Sequence, residues 1–273
     1  RKFSADMKQA KLGVLSIETN MGVSGTGNMT VNYAGKKPKI TTTLSIPKLN
    51  LDTLMPASKK KASLGLISNA YAAEGWSRKA VNLSALSMVN ADANVTIGKL
   101  ITSGYTMSNF KSAFSMINGK VKIKNYSTAL LGGTLSGSGN VNSTGSWNIT
   151  TKIASMPFQN LAKQFMSKVA ITGNTTANLS FRSNGKSVHD WIHRLSGGGT
   201  VTISKGNISG YKLAGMFRKT AQAVGGVVES KQGLSTPFDS IRVKFSADKG
   251  VFRLREGAMN ATRLKAKATG KVI

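Results

Sequence analysis

The chain has 273 residues, of which 40% are hydrophobic, so it can bury a sizeable core or line an apolar groove. Its 38 Lys and Arg against 10 Asp and Glu give a net charge of +28, which favours anionic partners such as nucleic acid, phospholipid or lipopolysaccharide surfaces. The absence of cysteine excludes disulfides, Cys-ligated zinc and thiol catalysis. No apolar run approaches the roughly 18 residues that a membrane-spanning helix needs.

Short runs of alternating apolar and polar residues predict a mainly β chain. Glycine, asparagine and serine separate the runs, and Asn118-Gly119 is typical of a two-residue hairpin turn. In chain order, strands are predicted near residues 11–18, 26–33, 38–46, 93–101, 105–117, 120–130, 133–141, 147–154, 170–182, 199–204, 239–248, 251–255 and 261–273.

Three short amphipathic helices are also predicted. Pro157–Met166 begins with a proline suited to the first turn, and Tyr211 to about Val224 ends at a pair of glycines. In Ser187–Leu195, Ser187 and Asp190 have the spacing of a capping box.

Residues 57–75 interrupt the strand pattern with a run of three lysines followed by small and apolar residues, which predicts a flexible linker. Residues 1–56 would then be an N-terminal β segment of the same groove, and residues 76–273 the main β domain. The chain begins at Arg1 and ends inside a strand-like run, so we expect it to be a piece of a longer protein whose targeting segment lies outside it.

Alternation also predicts two different faces. In the run from Ile241 to Arg255, apolar residues occupy one face and mostly basic residues the other. The residues predicted to line an apolar trough are Val95, Ile97, Phe110, Phe114, Met116, Val121, Ile123, Val201, Ile203, Ile241, Val243, Phe245, Phe252 and Leu254. Those predicted to face headgroups or solvent are Lys120, Lys122, Lys124, Arg242, Lys244, Arg253 and Arg255. One wide antiparallel sheet bent into a trough and a closed β-sandwich both satisfy this pattern.

Motifs for catalysis or metal binding are incomplete. Asn184-Gly185-Lys186-Ser187 is half of a phosphate-binding loop, but Ser180 stands where the first glycine is required. His189 and His193 have a zinc-ligand spacing without a third ligand, and they fit two surface histidines beside a buried helix face. No carboxylate occurs between residues 93 and 189, and no G-x-S-x-G motif is present. We therefore expect no enzyme, cofactor or metal.

Nucleic acid is a further partner that the net charge alone would allow. The sequence has no RNP-like run, and its aromatic residues, 7% of the chain, mostly sit at apolar-face positions. The pattern argues against nucleic-acid binding.

Several stretches in a fixed order carry a family resemblance. They are Trp76-Ser77, Val81–Leu86, Ala91–Val95, Leu131–Gly137, Leu195–Ile203, Gly206–Leu213 and Thr236–Ile241, with Pro38–Ile40 to Leu49–Asp52 upstream. Over roughly residues 26–273 the chain thus resembles the C-terminal domain of the AsmA family. The strong basic bias is not something that the family requires.

The resemblance implies a Gram-negative envelope protein with its body in the periplasm, held in the inner membrane by a helix outside this chain. The family is similar to TamB-like bridge proteins, whose curled β-sheets form an apolar trough proposed to pass phospholipids toward the outer membrane. We therefore expect a non-enzymatic module that handles phospholipid or another anionic lipid. The alternative is an envelope scaffold that aids outer-membrane protein assembly by docking anionic membrane or partner proteins through its basic face.

Overall fold

The structure, a computed structural model, describes residues 3–6, 8–18, 23–54, 76–102, 104–164, 170–209, 235–261 and 264–271. The strands in these ranges are β1 Phe3–Ala5, β2 Gln9–Glu18, β3 Ser24–Asn32, β4 Lys39–Asn50, β5 Asn90–Thr102, β6 Tyr105–Ile117, β7 Lys120–Leu130, β8 Gly133–Asn142, β9 Trp147–Pro157, β10 Ile171–Ser183, β11 Ser196–Ser209, β12 Ser235–Asp248, β13 Val251–Ala261 and β14 Leu264–Lys271. The helices are α1 Leu51–Leu54, α2 Phe158–Ala162 and α3 Val188–His193, with a 3₁₀ turn at Ser84–Ser87.

All of these strands belong to one sheet in which the spatial order follows the chain order, and the sheet is not closed into a barrel. The mainly β fold built on one wide sheet is confirmed. The sequence pattern allowed either a trough built from one sheet or a closed sandwich of two sheets. Among the described residues there is no second sheet, so the structure adopts the one-sheet architecture.

The prediction of a purely antiparallel sheet is wrong at one pair, because β4 and β5 run parallel. Parallel neighbours require a crossover along the length of the sheet, and residues 51–89 supply it. The predicted linker, residues 57–75, falls in this crossover and lies outside the described residues. Strands from both sides of it share the sheet, and the domain division stays a prediction.

Tight turns connect most of the antiparallel neighbours. Asn118-Gly119, Leu131-Gly132 and Lys249-Gly250 all have left-handed backbone angles, with φ of 48° and 77°, 53° and 83°, and 50° and 77°. Paired left-handed residues match the twist of the strands that they join, as in type I′ hairpins. We call the sheet end with the Asn118 and Lys249 turns the α3 end, and the opposite end, with the Leu131 turn, the α2 end.

Helix α3 confirms the helix predicted at Ser187–Leu195. The Ser187 hydroxyl accepts a hydrogen bond from the Asp190 backbone at 3.1 Å, and the Asp190 carboxylate accepts one from the Ser187 backbone at 3.2 Å, which completes the capping box. The Trp191 indole donates to the carbonyls of Gly145 and Gly185 at 2.9 and 3.0 Å. These bonds fasten α3 across one end of the sheet.

Helix α2 is shorter than the predicted Pro157–Met166. It covers Phe158–Ala162, and its Asn160 side chain donates to the Leu131 carbonyl at 3.1 Å, so it lies beside the β7–β8 turn. The helix predicted at Tyr211 to about Val224 lies outside the described residues. Helix α1, at the end of β4, was not predicted.

Bulged residues shift the alternation where the strands approach the α2 end. Asn109, Ser155 and Lys205 have left-handed φ values of 54°, 54° and 51°. In β11, odd-numbered residues such as Ile203 face inward before Lys205, and even-numbered residues such as Ile208 face inward after it. Such bulges add twist while they return the apolar residues to the same face. Residues on both sides of the shift form one buried cluster, composed of Ile203, Ile208, Phe238 and Ala261 with Phe158 of α2 packed against it.

Candidate functional site

The strand register forms a row of apolar side chains across the sheet. Directly paired residues project from the same face, so the pairings can be followed from strand to strand. From β2 to β13 the row reads Leu12, Met29, Thr42, Ala93, Phe114, Ile123, Gly139, Ile149, Phe181, Gly197, Ala247 and Phe252. Thr42 is its only polar member.

The adjacent row, which is shifted by one residue along each strand, is polar throughout. From β2 to β11 it reads Lys11, Thr30, Thr41, Asp92, Ser115, Lys122, Asn140, Asn148, Arg182 and Ser196. Adjacent residues of a strand project to opposite faces. The sheet therefore has one apolar face and one polar, basic face that run unbroken across most of its width.

All fourteen residues predicted to line the trough lie on the apolar face. Pairings such as Ile97–Phe110, Met116–Val121, Val201–Val243 and Phe245–Leu254 place them there. Ile97 and Ile203 are buried at 5% and 6% exposure, Phe252 is 37% exposed, and the remaining predicted residues are half-buried. The face thus combines a buried floor with side chains that remain partly accessible.

Three phenylalanines show that this face is the inside of the curl. Phe181 and Phe252 lie in one row but three strands apart, a separation of about 14 Å in a flat sheet. Their ring centroids lie only 6.3 Å apart, and the Phe245 ring lies 6.2 and 6.0 Å from them. Gly197 and Gly199 lie between, where the absence of side chains leaves room for the rings to converge. From β10 to β13 the apolar face is accordingly concave.

The model of the AsmA family matches residues 14–256, which is most of the chain. The chain belongs to the AsmA family. Neither the curated proteins nor the solved structures give a match to it. The AsmA family is associated with the envelope and is not known as an enzyme family, and membership is consistent with a role in lipid transfer or in the envelope.

The seven basic residues predicted to face headgroups or solvent have different surroundings in this AsmA-family sheet. Three of them have partners: Lys124 lies 3.6 Å from Asp92, Arg253 lies 3.8 Å from Asp248, and Arg255 donates to the Ser246 hydroxyl at 2.7 Å. For the other four, no carboxylate of the described ranges lies within ion-pair distance. These four are Lys120, Lys122, Arg242 and Lys244, all exposed.

Asp92 ties three strands together on the polar face. Its carboxylate lies 2.9 Å from the Lys39 amine of β4 and 3.6 Å from the Lys124 amine of β7. The hydrogen bond from Lys39, supported by both positive charges, lowers the pKa of Asp92. Because β4 is the parallel neighbour of β5, this ion pair adds a side-chain link to that pairing.

The lowered pKa gives an expected pH dependence. The unfolded chain takes up a proton at Asp92 near pH 4, above the pH at which the folded protein does, so the stabilisation is present above that pH and is lost as the pH falls. The unfolding free energy of the wild-type protein is expected to fall between about pH 5 and pH 3 as Asp92 is protonated. In Asp92→Asn this fall is expected to be smaller, by less than about 1 kcal/mol because both side chains of the pair are partly exposed. Urea unfolding at several pH values measures it, and equal pH slopes in both proteins would contradict the link.

Sequence analysis left part of the apolar face unnamed. Ile149, Ile153, Leu179 and Phe181 lie in β9 and β10, between the two halves of the predicted trough. The same alternation is present in both strands and would have identified them. The contacts of Phe181 with rings two and three strands away had no sequence signal.

The histidine pair does not belong to a metal site in the described ranges. The rings of His189 and His193 lie 4.2 Å apart, and no group of three or more potential metal ligands occurs among the residues that the structure describes. Burial and the neighbouring His193 and Arg78 lower the pKa of His189.

None of the helices in the described part of the chain has the length and apolarity needed to cross a bilayer.

Proposed function

We propose that the concave apolar face holds the acyl chains of phospholipid, and that the protein transfers phospholipid between the inner and outer membranes from a position in the periplasm. It does so without catalysing a reaction. The observation that carries the proposal is the apolar row that runs from β2 to β13 on one face of a single sheet, a face that is concave from β10 to β13. A row of this kind supplies a continuous path rather than a closed pocket.

Burial energetics support acyl chains as the ligand. Moving a methylene group from water to an apolar surface is favourable by about 0.8 kcal/mol, so half a dozen methylenes contribute about 5 kcal/mol. Half-buried side chains such as Val243 and Leu254 still have solvent-accessible surface that such a ligand would cover. Met116 and Met259, which are flexible and polarisable, suit a lining that adapts to chains of different shape.

Extraction of the purified protein tests the proposal directly. We expect phospholipid in the organic extract by mass spectrometry, and saturable uptake of a fluorescent phospholipid by protein that has been stripped of lipid. An extract without lipid, together with no uptake by stripped protein, would contradict it. The same preparation is examined for bound nucleic acid, which is expected to be absent.

A second candidate function is an envelope scaffold that docks anionic membrane or partner proteins through the polar face. The net charge of +28 and exposed cations without an ion-pair partner in the described ranges, such as Lys122 and Arg242, favour it. It predicts binding to anionic vesicles that weakens steeply with salt, and no acyl chain in the extract. Lipid extraction therefore separates the two candidates.

A further inference from the structure

An open depression of about 540 Å³ lies on the polar face near the α3 end. Its lining takes consecutive residues at the ends of β7 to β10, so Val121, Val141 and Trp147 of the apolar-face register belong to it together with their polar neighbours. The side chains of Lys122, Asn140, Asn148 and Arg182 form its polar row. The polar residues around it are Lys120, Lys122, Asn140, Asn142, Ser146, Asn148, Arg182, Ser183, Asn184, Arg194 and Ser196. We call this surface the basic depression.

Charge in the basic depression has one sign. Lys120 and Lys122 form one wall and Arg182 and Arg194 the other, and no carboxylate is part of the lining. A carboxylate, Asp190, lies in an adjoining smaller hollow that also includes Arg194. The Asp190 Oδ2 accepts hydrogen bonds from the backbone of Lys186 and Ser187, and its charge acts on Arg194. The four cations of the depression therefore still outnumber the single carboxylate beside it.

Amide groups form the floor between the two walls. The Asn140 side chain donates to the Asn148 amide oxygen at 3.0 Å, and this bond leaves the amide hydrogens of Asn148 available as donors. Register pairs Lys122 with Asn140, Asn140 with Asn148, and Asn148 with Arg182, so the cations and the amides stand side by side on rigid strands. Cations beside amide donors, with no carboxylate in the lining, are the chemistry of an anion site.

We propose that the basic depression binds the phosphate group of a lipid headgroup at a bilayer surface. Guanidinium groups bind phosphate oxygens in pairs, and the lysines and amides supply further donors around a group with several acceptor oxygens. Lys122, Asn140, Asn148 and Arg182 project from the face opposite the Ile123–Phe181 row of the trough. The phosphate that they bind therefore belongs to a lipid of the membrane and not to one whose chains lie in the trough. Binding there brings the α3 end of the sheet to the membrane surface. The inference rests on the proposed function and gives the proposed lipid trough a membrane contact.

The test compares two double variants that remove the same charge from the same face. Arg182→Gln/Arg194→Gln removes one wall of the depression. Lys111→Gln/Lys152→Gln removes two exposed lysines of the polar face outside it. Flotation is measured with vesicles of phosphatidylglycerol in phosphatidylcholine. We expect affinity to fall about tenfold or more in the first variant and at most about twofold in the second. Equal losses would mean that the whole basic field binds, and would overturn the site.

Further arms separate other outcomes. Lys120→Gln/Lys122→Gln, which removes the opposite wall, is expected to reproduce the loss and replaces the arginine variant should that one fail to fold. Wild-type protein that binds inorganic phosphate in calorimetry but does not bind the vesicles would overturn the lipid assignment. Wild-type protein that takes up fluorescent phospholipid without binding vesicles contradicts the depression alone, whereas vesicle binding without uptake contradicts the trough alone.

Discussion

Replacement of Phe245 with aspartate is expected to lower the uptake of fluorescent phospholipid at least about tenfold. The Phe245 ring is half-buried on the concave face, within 6.2 and 6.0 Å of the Phe181 and Phe252 rings. An aspartate there would place a carboxylate against the acyl chain, and burying an unpaired charge costs on the order of 2 kcal/mol or more. Uptake is measured by titration of lipid-stripped protein.

Two variants control for charge and for folding. Thr176→Asp adds the same carboxylate to an exposed position of the polar face in β10, and uptake is expected to stay within about twofold of wild type. Phe245→Leu keeps the position apolar and should keep most of the uptake. Should Phe245→Asp fold and take up lipid as well as Thr176→Asp does, Phe245 does not contact the acyl chain.

Replacement of Gly137 with alanine is expected to destabilise the protein by about 2 to 3 kcal/mol. Tyr126 reaches from β7 across Gly137 of β8 to β9, where its hydroxyl lies 3.2 Å from the Thr150 carbonyl and 2.5 Å from the Thr151 hydroxyl. A Cβ on Gly137 would lie 2.7 Å from the Tyr126 hydroxyl and would also collide with the Thr150 carbonyl oxygen. Either the ring or the strand must move, and urea unfolding measures the cost.

Gly35→Ala is the matched control for the added methyl group. The nearest atom to its Cβ is the Lys37 carbonyl oxygen at 3.5 Å, an ordinary contact, so the unfolding free energy is expected to change by no more than about 0.5 kcal/mol. Tyr126→Phe removes the hydroxyl but keeps the ring, and should cost about 1 kcal/mol. A Gly137→Ala protein as stable as the Gly35→Ala protein would contradict the close packing across β8.

Strand positions were predictable because alternation is a local property. The runs near residues 105–117, 120–130 and 251–255 correspond to β6, β7 and β13, and the turn at Asn118-Gly119 is where turn chemistry placed it. Ser187 and Asp190 likewise marked the start of α3, because a capping box needs only residues of one helical turn. The predicted lining residues share a face for the same local reason.

Features that depend on pairing between distant segments were not predictable in this way. The parallel contact of β4 with β5 depends on where residues 51–89 return the chain. The basic depression joins Lys122 to Arg182 through the register of β7, β8, β9 and β10, and Arg194 reaches it only because α3 lies across the sheet end. A change of register by one residue in any of these strands would have separated the two walls.

The sequence by itself determined that this protein is built from two-faced β-strands with a strong positive charge, because the period of two and the excess of lysine and arginine can be read without neighbours. Only the tertiary structure decided that the apolar residues form one row from β2 to β13 and that their face lies inside the curl. The physical reason is that register and curvature arise from bulges such as those at Ser155 and Lys205 and from close packing over Gly137 and Gly197, where strands far apart in the chain meet.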